Sequence, residues 1–73
     1  MNKTQAWAVI LQMATEIDAI KLAREYHAVW GEWIDYHEFA YLLDAEAGKG
    51  HIRRVTSRTT LAQYEVVEAV EAA

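Results

Sequence analysis

The side chains of this chain that could move protons or hold a metal are three histidines, His27, His37 and His51, and its aspartates and glutamates. Their spacing suits neither task. No two histidines stand at metal-ligand spacing, and the H-E-x-x-H pattern is missing. Asp35, Tyr36, His37 and Glu38 bring an acid, a phenol and an imidazole together. An aspartate with a glutamate three residues on is also the pattern of a helix capping box, which accounts for both acids without catalysis. Gly48, Lys49 and Gly50 lack the upstream glycine and the Ser/Thr after the lysine that a phosphate loop needs. No serine, histidine and carboxylate fall in a recognisable triad order. With no cysteine, the chain has no thiolate for zinc and no disulfide. These residues point to a protein that binds rather than one that catalyses, with no metal and no cofactor.

Charge narrows what it binds. The formal charge is -4 and the sequence pI is about 5.2. Nonspecific phosphate binding needs a basic surface, so nucleic acid is the less favoured partner. Yet the charge is uneven. Residues 1–48 sum to -5, residues 49–58 to +4 and residues 59–73 to -3. The basic island consists of Lys49, Arg53, Arg54 and Arg58. It suits phosphate or an acidic protein patch, or it is a solvated loop balanced by the chain's own carboxylates.

The elements that must position these residues are helical in pattern. Seventy-three residues make one small domain, 1–73. The longest apolar run, Ala6 to Leu11, is far short of the ~18 residues that span a bilayer. The N-terminus lacks the features of a signal peptide, so a cytoplasmic protein is expected. Glycines at 31, 48 and 50 punctuate three helical segments.

Over residues 4–30 the apolar face changes phase near Thr15. Trp7, Ile10, Leu11, Met13 and Ala14 lie on one side before it. Ala19, Leu22, Ala23, Tyr26 and Trp30 lie nearly opposite after it. Either the helix breaks near Ala14 and Thr15, with Thr15 as N-cap, or it is continuous and its first turns face a partner. Asp35 caps a second helix whose inner stripe is Tyr36, Phe39, Ala40, Leu43 and Ala47, with Ile34 stapled onto Phe39. Residues 51–59 suit a helical turn or a short strand. Thr60, with Gln63, starts a final helix with Leu61, Tyr64, Val67 and Val70 inside and Glu65, Glu68 and Glu71 outside.

The predicted fold is therefore all-α, a compact bundle of three or four short helices, with a minor extended segment near 52–57 as the variant. Phe39, Leu43 and Tyr26 hold its core, and Trp30 and Tyr36 fit there too. Trp33 and Tyr41 fall off the inner stripes, and such aromatics are favoured contact residues. The expected partner-binding residues are Trp7, Ile10, Leu11, Trp33, Tyr41, Lys49, Arg53, Arg54 and Arg58. A helix-turn-helix over residues 35–58 is an alternative with poor spacing. Setting Ala40 at its small-residue position puts Asp44 where the turn glycine belongs and Gly50 and Arg53 at apolar positions.

A tiny cysteine-free acidic chain, an aromatic turn at Trp30, Gly31, Glu32 and Trp33, and a basic island at 49–58 resemble, as a type, the small proteins with which lytic bacteriophages take over host machines. The chain is most similar in kind to a phage regulator of Xanthomonas RNA polymerase. That resemblance implies binding to the polymerase β′ subunit and loss of sigma-dependent promoter recognition. Phage inhibitors of host defence, of the anti-CRISPR type, fit the same description. A homodimer closed through the N-terminal apolar face is a further expectation for the surface.

Overall fold

The computed structural model describes residues 1–56 and 62–67. It shows a mostly helical chain with a small antiparallel sheet: α1 (Lys3–Met13), α2 (Ala19–Trp30), α3 (Tyr36–Gly48), β1 (Ile52–Arg54) and β2 (Tyr64–Val66). The all-α expectation is corrected by that sheet, and the extended segment expected near 52–57 is β1.

The phase change near Thr15 is a break. Asn2 caps α1, its side chain accepting from the Gln5 amide at 3.1 Å. The helix turns its 6, 9 and 10 positions inward, so Ala6, Val9 and Ile10 are buried. It ends in a tight turn in which the Thr15 amide donates to the Met13 carbonyl at 2.7 Å. Ala14 sits at its centre at φ 65°, ψ -47°, and Glu16 follows at φ 55°. The Ala14 angles are close to those of the rare, strained form of γ-turn. Thr15 lies inside this turn and is not the cap of α2. Asp18 is: its carboxylate accepts from the Lys21 amide at 2.8 Å and is itself buried.

α2 buries Ala19, Leu22, Ala23 and Tyr26, the face expected of it. Trp30 does not join them. It is 42% exposed and its indole N–H donates to the Gln5 carbonyl at 3.2 Å. Its indole N–H needs an acceptor and finds one on the α1 backbone, at the rim of the core and not inside it. Gly31 then closes the helix at φ 76°, a conformation that glycine adopts without penalty.

α3 starts at the expected cap, with Asp35 accepting from the His37 amide at 2.9 Å. It buries Phe39, Leu42 and Leu43. Leu42 takes the inner place expected of Ala40, which is exposed. The helix ends in a Schellman arrangement. The His51 amide reaches the Glu46 carbonyl at 3.0 Å and the Gly50 amide reaches the Ala47 carbonyl at 3.1 Å, with Gly50 at φ 85°.

Tyr26 joins the three helices. Its ring meets Phe39 at a centroid distance of 5.3 Å. Its hydroxyl donates to Gln5 Oε1 at 3.0 Å and accepts from the Asn2 amide at 3.3 Å. A buried tyrosine with its polar tip satisfied keeps its apolar gain without stranding a hydroxyl.

The helix expected from Thr60 is corrected by β2. Tyr64 and Val66 pair with Arg54 and Ile52, and Glu65 lies opposite Arg53. On its other edge β2 pairs with the α1–α2 linker. Ile17 and Tyr64 exchange main-chain bonds at 2.9 and 2.8 Å, and the Val66 amide donates to the Ala14 carbonyl at 2.9 Å. With both edges hydrogen-bonded, extended backbone outweighs the helical spacing of Tyr64 and Val67. Thr60, Leu61, Glu68, Val70 and Glu71 of that expected helix lie outside the described residues. The core runs from Ala6, Val9 and Ile10 through Ile17, Leu22, Tyr26, Phe39 and Leu43 to Ile52 and Tyr64. No described helix is long and apolar enough to cross a membrane.

Candidate functional site

The expected contact residues separate into three groups once the fold positions them. The first is the outer side of α1. Ile10 is fully buried, because the break at Ala14 frees α1 to turn its 6–9–10 face inward. It is a core residue and is withdrawn from the contact surface. Trp7 is half-buried against the core, its ring centroid 5.9 Å from that of His51. Leu11 remains half exposed. Trp7 also lines a cleft of about 440 Å³ between α1 and α3, with Lys3, Thr4, Leu42, Glu46 and His51.

The second group is the basic island, and its charges are largely answered within the chain. The Lys49 ammonium lies 3.4 Å from Glu46, and Arg53 pairs with Glu65, its neighbour across the β1–β2 ladder. The Arg54 guanidinium donates to the Thr56 carbonyl at 3.0 Å. Arg58 lies outside the described residues. Glu46 is the anchor. Its side chain is only 13% exposed and accepts from the His51 ring at 2.6 Å. That hydrogen bond outweighs the opposing effect of burial and, with Lys49, holds the Glu46 carboxyl below its ordinary range. The helix-turn-helix alternative loses its second helix here, since the segment after Gly48 is the strand β1.

The third group is aromatic and exposed. Trp33 is 67% and Tyr41 78% accessible, as their off-stripe positions predict. Tyr41 borders a second cleft of about 360 Å³ with Lys3, Glu38, Leu42 and Lys49. Trp33 belongs to the corner between α2 and α3, where Val29 and Trp30 are also exposed. The Gly31 reversal folds this corner back on α2. It lays the Trp33 indole on the His27 imidazole, centroids 3.8 Å apart and planes 12° from parallel. Sequence reading gave His27 no role. The signal was there in outline: a histidine in the last turn of a helix, a terminating glycine, and a tryptophan two residues beyond it.

Asp35 and His37 sit at the far side of the same corner. The Asp35 carboxylate accepts from the His37 amide and lies 2.8 Å from its ring. The backbone bond, more than the ring contact, holds its carboxyl below the ordinary range. Tyr36 meets the same imidazole edge-on at 4.2 Å. Asp35, Tyr36 and His37 are thus engaged with one another at the start of α3. Among the described residues no three histidine or acidic side chains are placed to hold a metal ion. No family model, curated protein or solved structure matches this chain.

Proposed function

We propose that this chain is a non-enzymatic regulatory protein that acts by docking its exposed aromatic surface on a larger macromolecular partner. The observation that carries the reading is the exposure of Trp33 and Tyr41. A domain of this size has little apolar area to bury and gains from burying every large ring it has. Two rings left in solvent lower its solubility and add nothing to its core, whereas tryptophan and tyrosine are favoured anchors of protein interfaces. The likeness in kind to phage takeover proteins names the partner as bacterial RNA polymerase, through its β′ subunit, and the effect as inhibited or redirected transcription.

The test uses purified Xanthomonas RNA polymerase holoenzyme. The immobilised chain is expected to retain the enzyme and to suppress transcription from a sigma-dependent promoter. Trp33→Ala and Tyr41→Ala are expected to weaken both effects. Failure to retain polymerase removes the specific partner, and full retention by both variants removes the aromatic surface as the contact. Nucleic acid as the direct partner is a second reading; it rests on Arg53, whose side chain stays 71% exposed despite its pairing with Glu65, and on the sequence placing Arg54 and Arg58 in the same basic island. A mobility shift that disappears steeply with added salt is its signature.

A further inference from the structure

The exposed tryptophan corner carries a charge pattern that specifies what it accepts. Residues 25–38, which make this corner, hold Glu25, Glu32, Asp35 and Glu38 and no lysine or arginine. Glu32 lies between the two tryptophans and is exposed. Among the described residues it has no ion pair. Trp33, its neighbour, has one face covered by His27. With two thirds of the residue still in solvent, the other face is open. An indole held from behind, next in sequence to an exposed carboxylate that has no ion pair among the described residues, offers the two groups that bind a cation.

We propose that Trp33 and Glu32 form a receptor for an arginine side chain on a partner protein. The guanidinium lies on the open face of the indole and donates to the Glu32 carboxylate. This rests on the partner-binding reading above and names the chemistry of the partner's contact. Arginine suits the site better than lysine for two reasons. Its planar guanidinium stacks on an aromatic face, and its fork of N–H groups matches both oxygens of a carboxylate. His27 acts as the positioning residue, fixing the plane of the ring so that less freedom is lost when the cation docks. The partner surface that meets this corner is therefore basic, complementary to the acidic stretch around it.

The experiment is an NMR titration of the full-length, ¹⁵N-labelled chain with N-acetyl-arginine amide. N-acetyl-lysine amide and N-acetyl-citrulline amide, which keeps the shape but not the charge, serve as comparisons. Arginine is expected to shift the Trp33 indole N–H and the amides of Gly31 and Glu32 saturably. Lysine shifts them less and citrulline not at all. Trp33→Leu and Glu32→Gln each weaken binding on the order of threefold, the range of exposed cation–π and ion-pair contacts. Both positions are exposed, and unchanged spectra elsewhere confirm that the variants fold. Val55→Ala, at an exposed position away from the corner, leaves the titration as it was.

Equal shifts with citrulline overturn the proposal, as does undiminished arginine binding by Glu32→Gln. Arginine shifts as large at Asp44 as at Glu32 also overturn it, because they report only general attraction to an acidic chain. If polymerase is retained equally by Glu32→Gln and the wild type, the arginine receptor falls while the partner-binding reading stands. If arginine binds selectively at the corner but polymerase is not retained, the receptor stands and the named partner falls.

Discussion

Ile17 and Tyr64 exchange two main-chain hydrogen bonds, and through them the linker between α1 and α2 becomes the second neighbour of β2. Both side chains are buried, so the same pair that extends the sheet also closes the core over it. Tyr64→Ala removes the ring and leaves the backbone pairing to stand alone. Loss of about 3–5 kcal/mol is expected from truncating a buried aromatic. A domain this size has only roughly 3–5 kcal/mol in total. The variant is therefore expected to be largely unfolded, which circular dichroism with urea denaturation checks.

Ala14→Gly tests the turn that this pairing holds. Ala14 at φ 65° carries a Cβ where glycine has none. Relief of strain of ~1–3 kcal/mol, less the ~0.5–1 kcal/mol of added unfolded-state freedom, predicts net stabilisation of about 1 kcal/mol. A lower urea midpoint for the variant contradicts this.

Tyr26→Phe keeps the ring against Phe39 and deletes only the hydroxyl. The Gln5 carboxamide and Asn2 amide lose their partner, and a loss of about 1 kcal/mol is expected. Because both contacts lie at the start of α1, amide exchange in the first turn of that helix should quicken more than exchange in α3.

The helices were legible because their ends carry side-chain signals: Asp35 before α3, Gly31 after α2, and the reversal of apolar phase between α1 and α2. The break near Ala14 was legible too, but the cap of α2 was not, since Thr15 and Asp18 are both good caps and the turn at Ala14 takes Thr15 into itself. β2 was misread for a related reason. Leu61, Tyr64 and Val67 keep helical spacing, while Tyr64 and Val66 alternate as a strand does, and the partners that decide lie far away in sequence. At the site, Trp33 and Tyr41 were found because they fall off the inner stripes. Ile10 was misplaced because the phase of α1 depends on where the helix stops. The pairing of Arg53 with Glu65 was hidden because it exists only in the β1–β2 register.

Glu46 gives a pH prediction. Its folded-state carboxyl titrates below the ordinary value of 4.5, chiefly because His51 donates to it. A depressed acid contributes stability that is fully present above the unfolded value. That stability is lost as pH falls through the folded one. The melting temperature is expected to fall below pH 4.5 more steeply in the wild type than in Glu46→Gln. Parallel pH profiles for the two proteins contradict the assignment.

Trp33→Ala and Ile10→Ala separate surface from core. Trp33 is 67% exposed, so its loss is expected to change stability by no more than ~0.5 kcal/mol, as for exposed positions generally. Ile10, fully buried, is expected to cost about 2–5 kcal/mol. Paired thermal melts and polymerase-retention assays of the two variants show whether binding is lost with the fold or apart from it.

The double-edged position of β2 also sets an order of events during synthesis. Everything β2 joins, the linker at residues 14–17 and the strand at residues 52–54, leaves the ribosome before it does. The three helices bring mostly local contacts and form early. In the folded chain the Val66 amide holds the Ala14 carbonyl, so the unfavourable angles of that turn depend on β2 being in place. Closing β2 onto residues 14–17 and 52–54 joins partners far apart in sequence, the kind of contact that forms late and binds separate parts of a chain into one cooperative unit.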